Sequence, residues 1–508
     1  MRQGPVLHAA LAGAAAVAVA IGASELLAGI VSGFPSLVAS VGAAVIDLQP
    51  PGAKDFVVAL FGESDKLALE VFVVAAALAF GALLGTAGRR WPAAPAAGFA
   101  AFGLLAFLAT FLDPQVSTPL AAVSAGGAVW LGLATLNRLR DRAPRRGQGS
   151  MPDWSRRGFL LRSGSVALGA GVAGIAGRAL LEARLRRPLS VAASIPDPAR
   201  VVAGLPAGAE LNVPGITPLV VPNDDFYRID TALLVPSVDA AAWRLRIHGM
   251  VDRETTFSFA ELVELPLFEQ YVTIACVSNE VGGRLVGNAK WTGVSLRDVL
   301  DMAGVQAGAT QLVGRSVDGF TAGMPTAWVM DPAREAMIAV RMNDEPLPMA
   351  HGFPARLIVP GLYGYVSATK WLSELELTTL EGFDGFWIPR GWSKEAPILT
   401  QSRIDVPRGG SRVAPGTVTV AGVAWAPDRG VTGVEVSVDD GPWMRARIST
   451  PISDATWVQW RLDWTATPGR HTLNVRATDG DGTVQTADRS NPAPDGARGH
   501  HRISVEVD

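Results

Sequence analysis

"VTIACVSNE", residues 272–280, carries Cys276, the single cysteine of a 508-residue chain. The run before it is apolar and β-branched, which predicts a strand. The stretch after it, with Gly282 and Gly283, is polar and glycine-rich and predicts a loop. A lone cysteine in such a setting is ordinarily a buried small hydrophobe. Whether Cys276 is more than that depends on what the rest of the chain sets around it.

The composition excludes several classes. The chain is 49% hydrophobic with net charge −3, too apolar for one ordinary soluble domain of this length, so two or three domains are expected. One cysteine rules out an intramolecular disulfide framework, a CxxC pair and multi-cysteine zinc or iron–sulfur sites. A nucleic-acid partner would require a concentrated basic face, and the near-neutral balance argues against one.

Residues 6–31, "VLHAALAGAAAVAVAIGASELLAGIV", are long and apolar enough to cross a bilayer, although Glu25 within them needs a partner or an interfacial position. Further candidates lie at 67–88, 98–112 and 116–136, and a fifth runs from Phe159 to about Leu181. Loops rich in Lys and Arg stay in the cytoplasm. With five spans, Arg2, Arg89–Arg90 and the arginine-rich stretch 138–157 all fall inside. Residues 34–66 are then an amphipathic or re-entrant piece on the outer surface, and everything after about 182 lies outside. The expected location is the cell membrane, multi-pass, with the later domains on the extracytoplasmic side.

The fifth span opens with Ser155-Arg156-Arg157-Gly158-Phe159-Leu160 before a Gly/Ala-rich segment, which resembles a twin-arginine export signal. That route carries folded proteins and hints at a cofactor inserted before export. No small-residue cleavage site stands out after Leu181, so retention of the span is expected. Gly169, Gly171 and Gly174 fit GxGxxG but follow no strand and have no acidic partner, so they read as small-residue helix packing.

The domains read as a membrane domain over 1–182, a linker over 183–215, an α+β domain over 216–396 and an Ig-like β-sandwich over 397–508. In the third, "WRLRIHGMV" and "QYVTIACV" read as strands and "SLRDVLDMAGV" as a short helix. In the fourth, short alternating strands are separated by Gly/Asp/Pro turns.

The soluble part resembles the sulfite oxidase family of molybdopterin enzymes. The matching strings stand in family order: "NDDFYRID" (223–230), "VTIACVSNE", "NAKWTGVSLRDVL" (288–300) and "HGFPARLIVPGLYGYVSATKWL" (351–372), then the Ig-like domain. The resemblance implies a molybdenum–molybdopterin cofactor, with Cys276 as the metal-ligating thiolate, a soft donor suited to a metal already held by dithiolene sulfurs. It further implies that Asn223, Tyr227 and Arg228 line the pterin and the metal pocket. His351, Arg356 and Lys370 are implied donors to the pterin and its phosphate, with Ala368 and Thr369 adding backbone contacts and Ser316 a further pterin contact.

Two departures bear on the substrate. Sulfite-oxidising members carry an arginine where this chain has Val281, and a tyrosine in the segment where it has Trp387 and Trp392. Arg228 remains of the anion-binding arginines, and Trp392 takes a place in the catalytic pocket; Arg284, Lys290, Arg390 or Lys394 are possible substitutes. The implied activity is two-electron oxygen-atom transfer on a small substrate. Reduction of an S-oxide or N-oxide is favoured over oxidation of a sulfite-like anion, because capture of a small dianion needs paired fixed cations.

Six histidines, with only His8 near a span, provide no bis-histidine haem site in one copy, and no CxxCH occurs. Electrons are therefore exchanged with an external partner, a quinone-linked protein or a cytochrome, and the spans read as an anchor in membrane lipid. The Ig-like domain implies a homodimer. The competing reading, a non-catalytic membrane-anchored surface binding protein with a degenerate cofactor domain, gives no reason to retain Cys276, His351, Arg356 and Lys370 together.

Overall fold

The apolar runs of the first 185 residues become helices because nothing in them breaks an α-helix and each is long enough to bury its own backbone polarity. The computed structural model describes residues 4–49, 65–141, 154–185 and 195–508. Six helices stand among the described residues of the first part: α1 (Gly4–Ile30), α2 (Leu37–Asp47), α3 (Asp65–Ala87), α4 (Ala94–Phe111), α5 (Thr118–Asp141) and α6 (Trp154–Leu185). Five of them, all but α2, are long and apolar enough to cross a membrane. Residues 50–64 of the expected surface piece and 142–153 of the expected inner loop lie outside the described residues, as do 186–194 of the expected linker.

Small residues bring α1 and α6 together. A Cβ on Gly22 would come within 2.2 Å of the Ala170 carbonyl oxygen, and one on Gly29 within 2.3 Å of that of Gly177. The contact register therefore falls on Ala170, Gly174 and Gly177, whereas Gly169 and Gly171 of the GxGxxG string face open space. Glu25 finds its partners in the turn before α2, where Ser36 Oγ lies 2.9 and 2.8 Å from its two carboxylate oxygens. The amide of Val38 donates to the same carboxylate at 3.2 Å. An ion pair not expected from the spans also stands here, Arg178 with Glu70 at 2.9 Å.

The chain divides into two compact units, Met1–Pro188 with Thr231–Pro236, and Leu189–Asp230 with Ser237–Asp508. Two sheets build the front of the second unit. One runs β2 (Thr255–Ser258), β1 (Arg244–Gly249), β10 (Leu372–Thr378), β5 (Gln311–Ser316), β6 (Thr321–Pro325). The other runs β3 (Leu267–Ala275), β4 (Val286–Ser295), β7 (Met337–Met342), β8 (Glu345–Pro346), with β9 (Arg356–Ile358) paired to β7. Short helices fill the connections, among them α7 (Phe259–Glu264), α8 (Leu296–Ala303), α9 (Thr326–Met330) and α10 (Gly364–Ser367).

β3 and β4 are buried along almost their whole length, so even their polar residues Thr273, Asn288 and Thr292 lie inside. β3 is an edge strand whose free edge is covered from two sides. The amide of Glu269 donates to the Arg200 carbonyl at 2.9 Å, and that of Thr273 to the Ala455 carbonyl at 2.9 Å.

The C-terminal part is a sandwich of two sheets. One is ordered β11 (Gln401–Val406), β13 (Gly416–Trp425), β17 (Val458–Ala466), β16 (Arg447–Ile448). The other is ordered β12 (Arg412–Val413), β19 (His501–Val507), β18 (Gly469–Asp479), β14 (Val431–Val438), β15 (Met444–Arg445). Its core is Val420, Val434, Val436, Trp460, Leu473, Val475 and Val505, the inward half of the alternating pattern. The sandwich is bound directly to the sheets in front of it. The Trp457 amide donates to Thr273 Oγ1 at 2.8 Å, and its indole N–H to the Leu219 carbonyl at 2.8 Å.

Candidate functional site

Cys276 stands at the end of β3, where the strand gives way to the loop returning as β4. The loop folds on itself: the Cys276 amide donates to the Leu285 carbonyl at 2.9 Å, and the Leu285 amide to Asn279 Oδ1 at 2.8 Å. The thiol is buried, 9% exposed, with its Sγ 2.9 Å from Ser278 Oγ. From the sandwich, Arg403 Nη1 donates to the Gly283 carbonyl at 2.7 Å, while its Nε and Nη2 hold Asp405 and Thr217, each at 2.7 Å.

The "HGFPAR" string folds so that His351 and Arg356 both point inward. Gly352, at φ +113°, makes this possible, because a Cβ there would stand 3.0 Å from the Cβ of Lys370 and 3.1 Å from that of Arg356. His351 Nε2 lies 3.0 Å from the Asn223 carbonyl oxygen, so that nitrogen carries the proton. Burial, and then the neighbouring Arg356 charge, lower the His351 pKa to about 4, so the ring is neutral.

Arg356 is 4% exposed and burial lowers its pKa to about 10. Its guanidinium lies 5.0 Å from the Trp291 ring centre, and one arm donates to the His351 carbonyl at 3.0 Å. Its Nε–H is buried without a protein partner. Lys370, 9% exposed, reaches Asp230 at 2.6 Å and the Ala350 carbonyl at 3.2 Å. Burial lowers its pKa to about 8, against the pull of Asp230.

Tyr227 completes this wall. Burial raises its pKa, the negative charge of Cys276 adds to the rise, and Arg356 opposes it, so the phenol stays protonated within electrostatic reach of both. Phe226 stacks on Tyr227 with centroids 5.2 Å apart and meets the His351 ring edge-on at 5.7 Å.

The other expected residues fall into two groups. Asn223 is engaged by protein: its Nδ2 donates to the Met342 carbonyl at 3.2 Å and to Glu345 at 3.1 Å, and its Oδ1 accepts from Asn343 at 2.9 Å. It is the Asn223 backbone carbonyl that orients His351. Ser316 is buried opposite Leu372 in the β5–β10 pairing, beside Lys370 and Trp371 in the chain. Thr369 Oγ1 donates to the Gly314 carbonyl at 3.4 Å, and the Ala368 amide to that of Gly364 at 3.0 Å. Trp392 packs against Tyr365, centroids 5.8 Å apart, and the Tyr365 hydroxyl donates to the Ser393 carbonyl.

Of the substitute cations, Lys290 pairs with Glu269 at 3.4 Å and with Asp344, and Lys394 pairs with Asp384 at 2.8 Å. Arg390 lies over the Phe386 ring at 3.7 Å. Arg284 is exposed, with no ion pair among the described residues. Arg228 is in a two-pronged pair with Asp230, Nε to Oδ2 at 2.8 Å and Nη2 to Oδ1 at 3.3 Å.

Sequence reasoning missed Asp230, Tyr363, Tyr365 and Arg403. Burial raises the Tyr363 pKa to about 12, and the Cys276 charge contributes. Asp230 had a visible signal, an acidic residue two positions from a basic one, and the two side chains do meet. Arg403 showed the same spacing with Asp405, but its contact with the cysteine loop had no signal, because Gly283 lies 120 positions away in the chain. A separate cavity of about 350 Å³, lined among others by Ile398, Arg429 and Asp479, shares none of these residues.

The donor set fits a pterin phosphate carrying a soft metal. It offers a buried thiol, a buried guanidinium N–H without a partner, a lysine and a neutral imidazole whose second nitrogen can accept a hydrogen bond.

Residues 232–387 match the family model described as oxidoreductase molybdopterin binding domain, and residues 401–475 match a bacterial Ig domain. Human (Homo sapiens) mitochondrial sulfite oxidase is 31% identical over 303 residues, 50% of this chain and 55% of its own length. The uncharacterized oxidoreductase YuiH of Bacillus subtilis is 33% identical over 154 residues, 30% of this chain and 74% of its own length. The chain thus spans about half the length of the sulfite oxidases it matches. Among solved structures, the sulfane dehydrogenase SoxCD from Paracoccus pantotrophus shares the fold, with TM-score 0.51 and 23% identity over 57% of this chain and 82% of that one.

Proposed function

The chain belongs to the sulfite oxidase family of molybdopterin-dependent oxidoreductases, and on that premise we propose a membrane-anchored enzyme that reduces a small neutral S-oxide or N-oxide on the extracytoplasmic side. Cys276 would be the thiolate ligand of a molybdenum–pterin group, which when bound would supply two-electron oxygen-atom transfer. Arg356 and Lys370 provide fixed positive charge for the phosphate, while Tyr227 and neutral His351 offer a donor and an acceptor to the pterin. Ser316, Asn223, Ala368 and Thr369 shape the same wall. The overall change is one oxygen atom, two electrons and two protons taken up, with reduced substrate and water released. The electrons come from an external quinone-linked protein or cytochrome.

The observation that carries the choice of substrate is the aromatic segment after β10. Phe386 and Trp387 meet edge-on at 5.0 Å, and Trp392 packs on Tyr365. The chain at Gly364 passes close to the Ala275 carbonyl, next to Cys276. Tyr365 and Trp392 thus set rings next to this approach, Arg390 and Lys394 of the same segment are held by Phe386 and Asp384, and Val281 adds no charge. A neutral oxygen donor suits this approach better than a dianion.

Membrane anchoring is supported by the five long apolar helices and by their exposed large side chains, among them Phe72, Leu83, Trp130, Leu168 and Ile175. The arginines at 89–90 and before α6 set the orientation. The sandwich serves a homodimer.

Metal and pterin analysis of the purified protein beside Cys276→Ser tests the site. One molybdenum per chain, with an altered paramagnetic signal in the variant, is the expected result. Steady-state assays with a reduced artificial donor and S-oxides, and with an artificial acceptor and sulfite, then test the substrate. Tight, fast turnover of sulfite overturns the neutral-substrate reading.

A further inference from the structure

Three basic side chains share one site: Arg356 donates to the His351 carbonyl at 3.0 Å, Lys370 to the Ala350 carbonyl at 3.2 Å, and Arg228 meets the carboxylate that Lys370 also reaches. One carboxylate, Asp230, stands among them. Its side chain is 5% exposed, and it meets Lys370 Nζ at 2.6 Å and Arg228 Nε at 2.8 Å through the same oxygen. The second oxygen takes Arg228 Nη2 at 3.3 Å, which closes a two-pronged pair. Such a fork is the strong form of the interaction, and a carboxylate this buried is tolerated only because cations face it.

We propose that Asp230 sets the charge preference of the substrate pocket, neutralising Arg228 so that the site does not retain a small oxyanion. The proposal deepens the neutral-substrate reading above and rests on it. The charge arithmetic supports it: Arg356 and Lys370 match the two negative charges of a phosphomonoester, and Arg228 with Asp230 sums to zero. Among the described residues, no buried cation of the cluster is then left over for a dianionic substrate. Arg228, although 34% of its side chain is exposed, is forked onto the buried Asp230, whereas Arg284, exposed on the loop after Cys276, has no ion pair among the described residues and is screened by water. The pair is local in the chain, since Arg228 and Asp230 lie two residues apart and meet directly through both carboxylate oxygens.

Inorganic sulfate, an unreactive dianion, is the probe. Its affinity for the molybdenum-loaded, detergent-solubilised full chain is measured by calorimetric titration and by the shift of the metal's paramagnetic signal. Asp230→Asn is expected to bind sulfate at least tenfold more tightly than wild type while retaining molybdenum. Adding Arg228→Gln to that variant is expected to return the affinity to the wild-type level. An Asp230→Asn protein that retains molybdenum and binds sulfate no more tightly overturns the proposal.

If Asp230→Asn loses the metal or does not fold, Arg228→Gln alone decides. A change in sulfate affinity below twofold supports a neutralised arginine, and a tenfold loss overturns it. The two readings separate cleanly. A wild-type enzyme inert toward S-oxides and N-oxides sinks the substrate assignment, whereas a sulfate affinity gained on Asp230→Asn and lost again with Arg228→Gln upholds the role of Asp230.

Discussion

Arg403 Nη1 donates to the Gly283 carbonyl oxygen at 2.7 Å, so a side chain of the C-terminal sandwich holds the loop that follows Cys276. The same guanidinium pairs with Asp405 at 2.7 Å, and both side chains are nearly inaccessible to water. The sandwich therefore braces the loop that follows Cys276. Arg403→Met removes three hydrogen bonds and leaves a buried carboxylate uncompensated. A loss of about 3–5 kcal/mol is expected, read from chemical denaturation of the solubilised protein, together with a broadened molybdenum signal. Unchanged stability would show that the loop does not depend on the sandwich.

Gly282 adopts φ +80°, and a Cβ on it would lie 2.2 Å from the ring of His501. Gly282→Ala therefore combines left-handed strain with a clash and should destabilise by roughly 2–4 kcal/mol. His501→Ala removes the clash but leaves the strain, so the double variant should recover part of the loss. A thermodynamic cycle with no coupling between the two positions would refute the contact.

Two histidines, His351 buried and His501 half-buried, make stability depend on pH. His501 is lowered to about 4 by burial and then by Arg403, and His351 to about 4 by burial and then by Arg356. Both are neutral in the folded chain, and the unfolded chain binds protons more readily below about 6.5. Their contribution is thus complete above pH 6.5 and is lost as pH falls toward 4, by roughly 2–3 kcal/mol for each. Denaturation midpoints measured from pH 7.5 to 4.5 should fall steadily, and His501→Gln should flatten the slope. A midpoint independent of pH in this window would contradict the assignment.

In the helical unit, Ser36 Oγ accepts from the Ala39 amide at 3.1 Å while donating toward Glu25, so the pair caps α2. Ser36→Ala should cost about 1 kcal/mol, and Glu25→Leu more, because it leaves both Ser36 Oγ and the Val38 amide without their acceptor. Unfolding in mixed detergent micelles measures both. Equal stability of Glu25→Leu and wild type would mean that the carboxylate is not part of the cap.

Much of the architecture was legible along the chain. Spans expected at 67–88 and 116–136 became helices α3 and α5, and "GRHTLNVRATDG" became β18. The same holds for the strand before Cys276 and the helix at "SLRDVLDMAGV". Periodicity and apolar length report burial directly, because backbone geometry dictates which side chains share a face. The partners of Glu25 and the packing register of α1 on α6 were not legible, since both depend on how separate helices meet.

The sequence by itself determined the family resemblance, the string carrying Cys276, His351, Arg356 and Lys370, and the order of the domains. Only the tertiary structure decided which charges cancel. Arg228 was read as an available cation, and the fold locks it to Asp230, which also holds Lys370 from 140 positions away in the chain. Likewise the sandwich, read as a separate domain, sends Arg403 across 120 positions to the cysteine loop. Local patterns follow from backbone periodicity, whereas electrostatic pairing depends on distance in space and on exclusion of water, and both are set only when the remote segments pack.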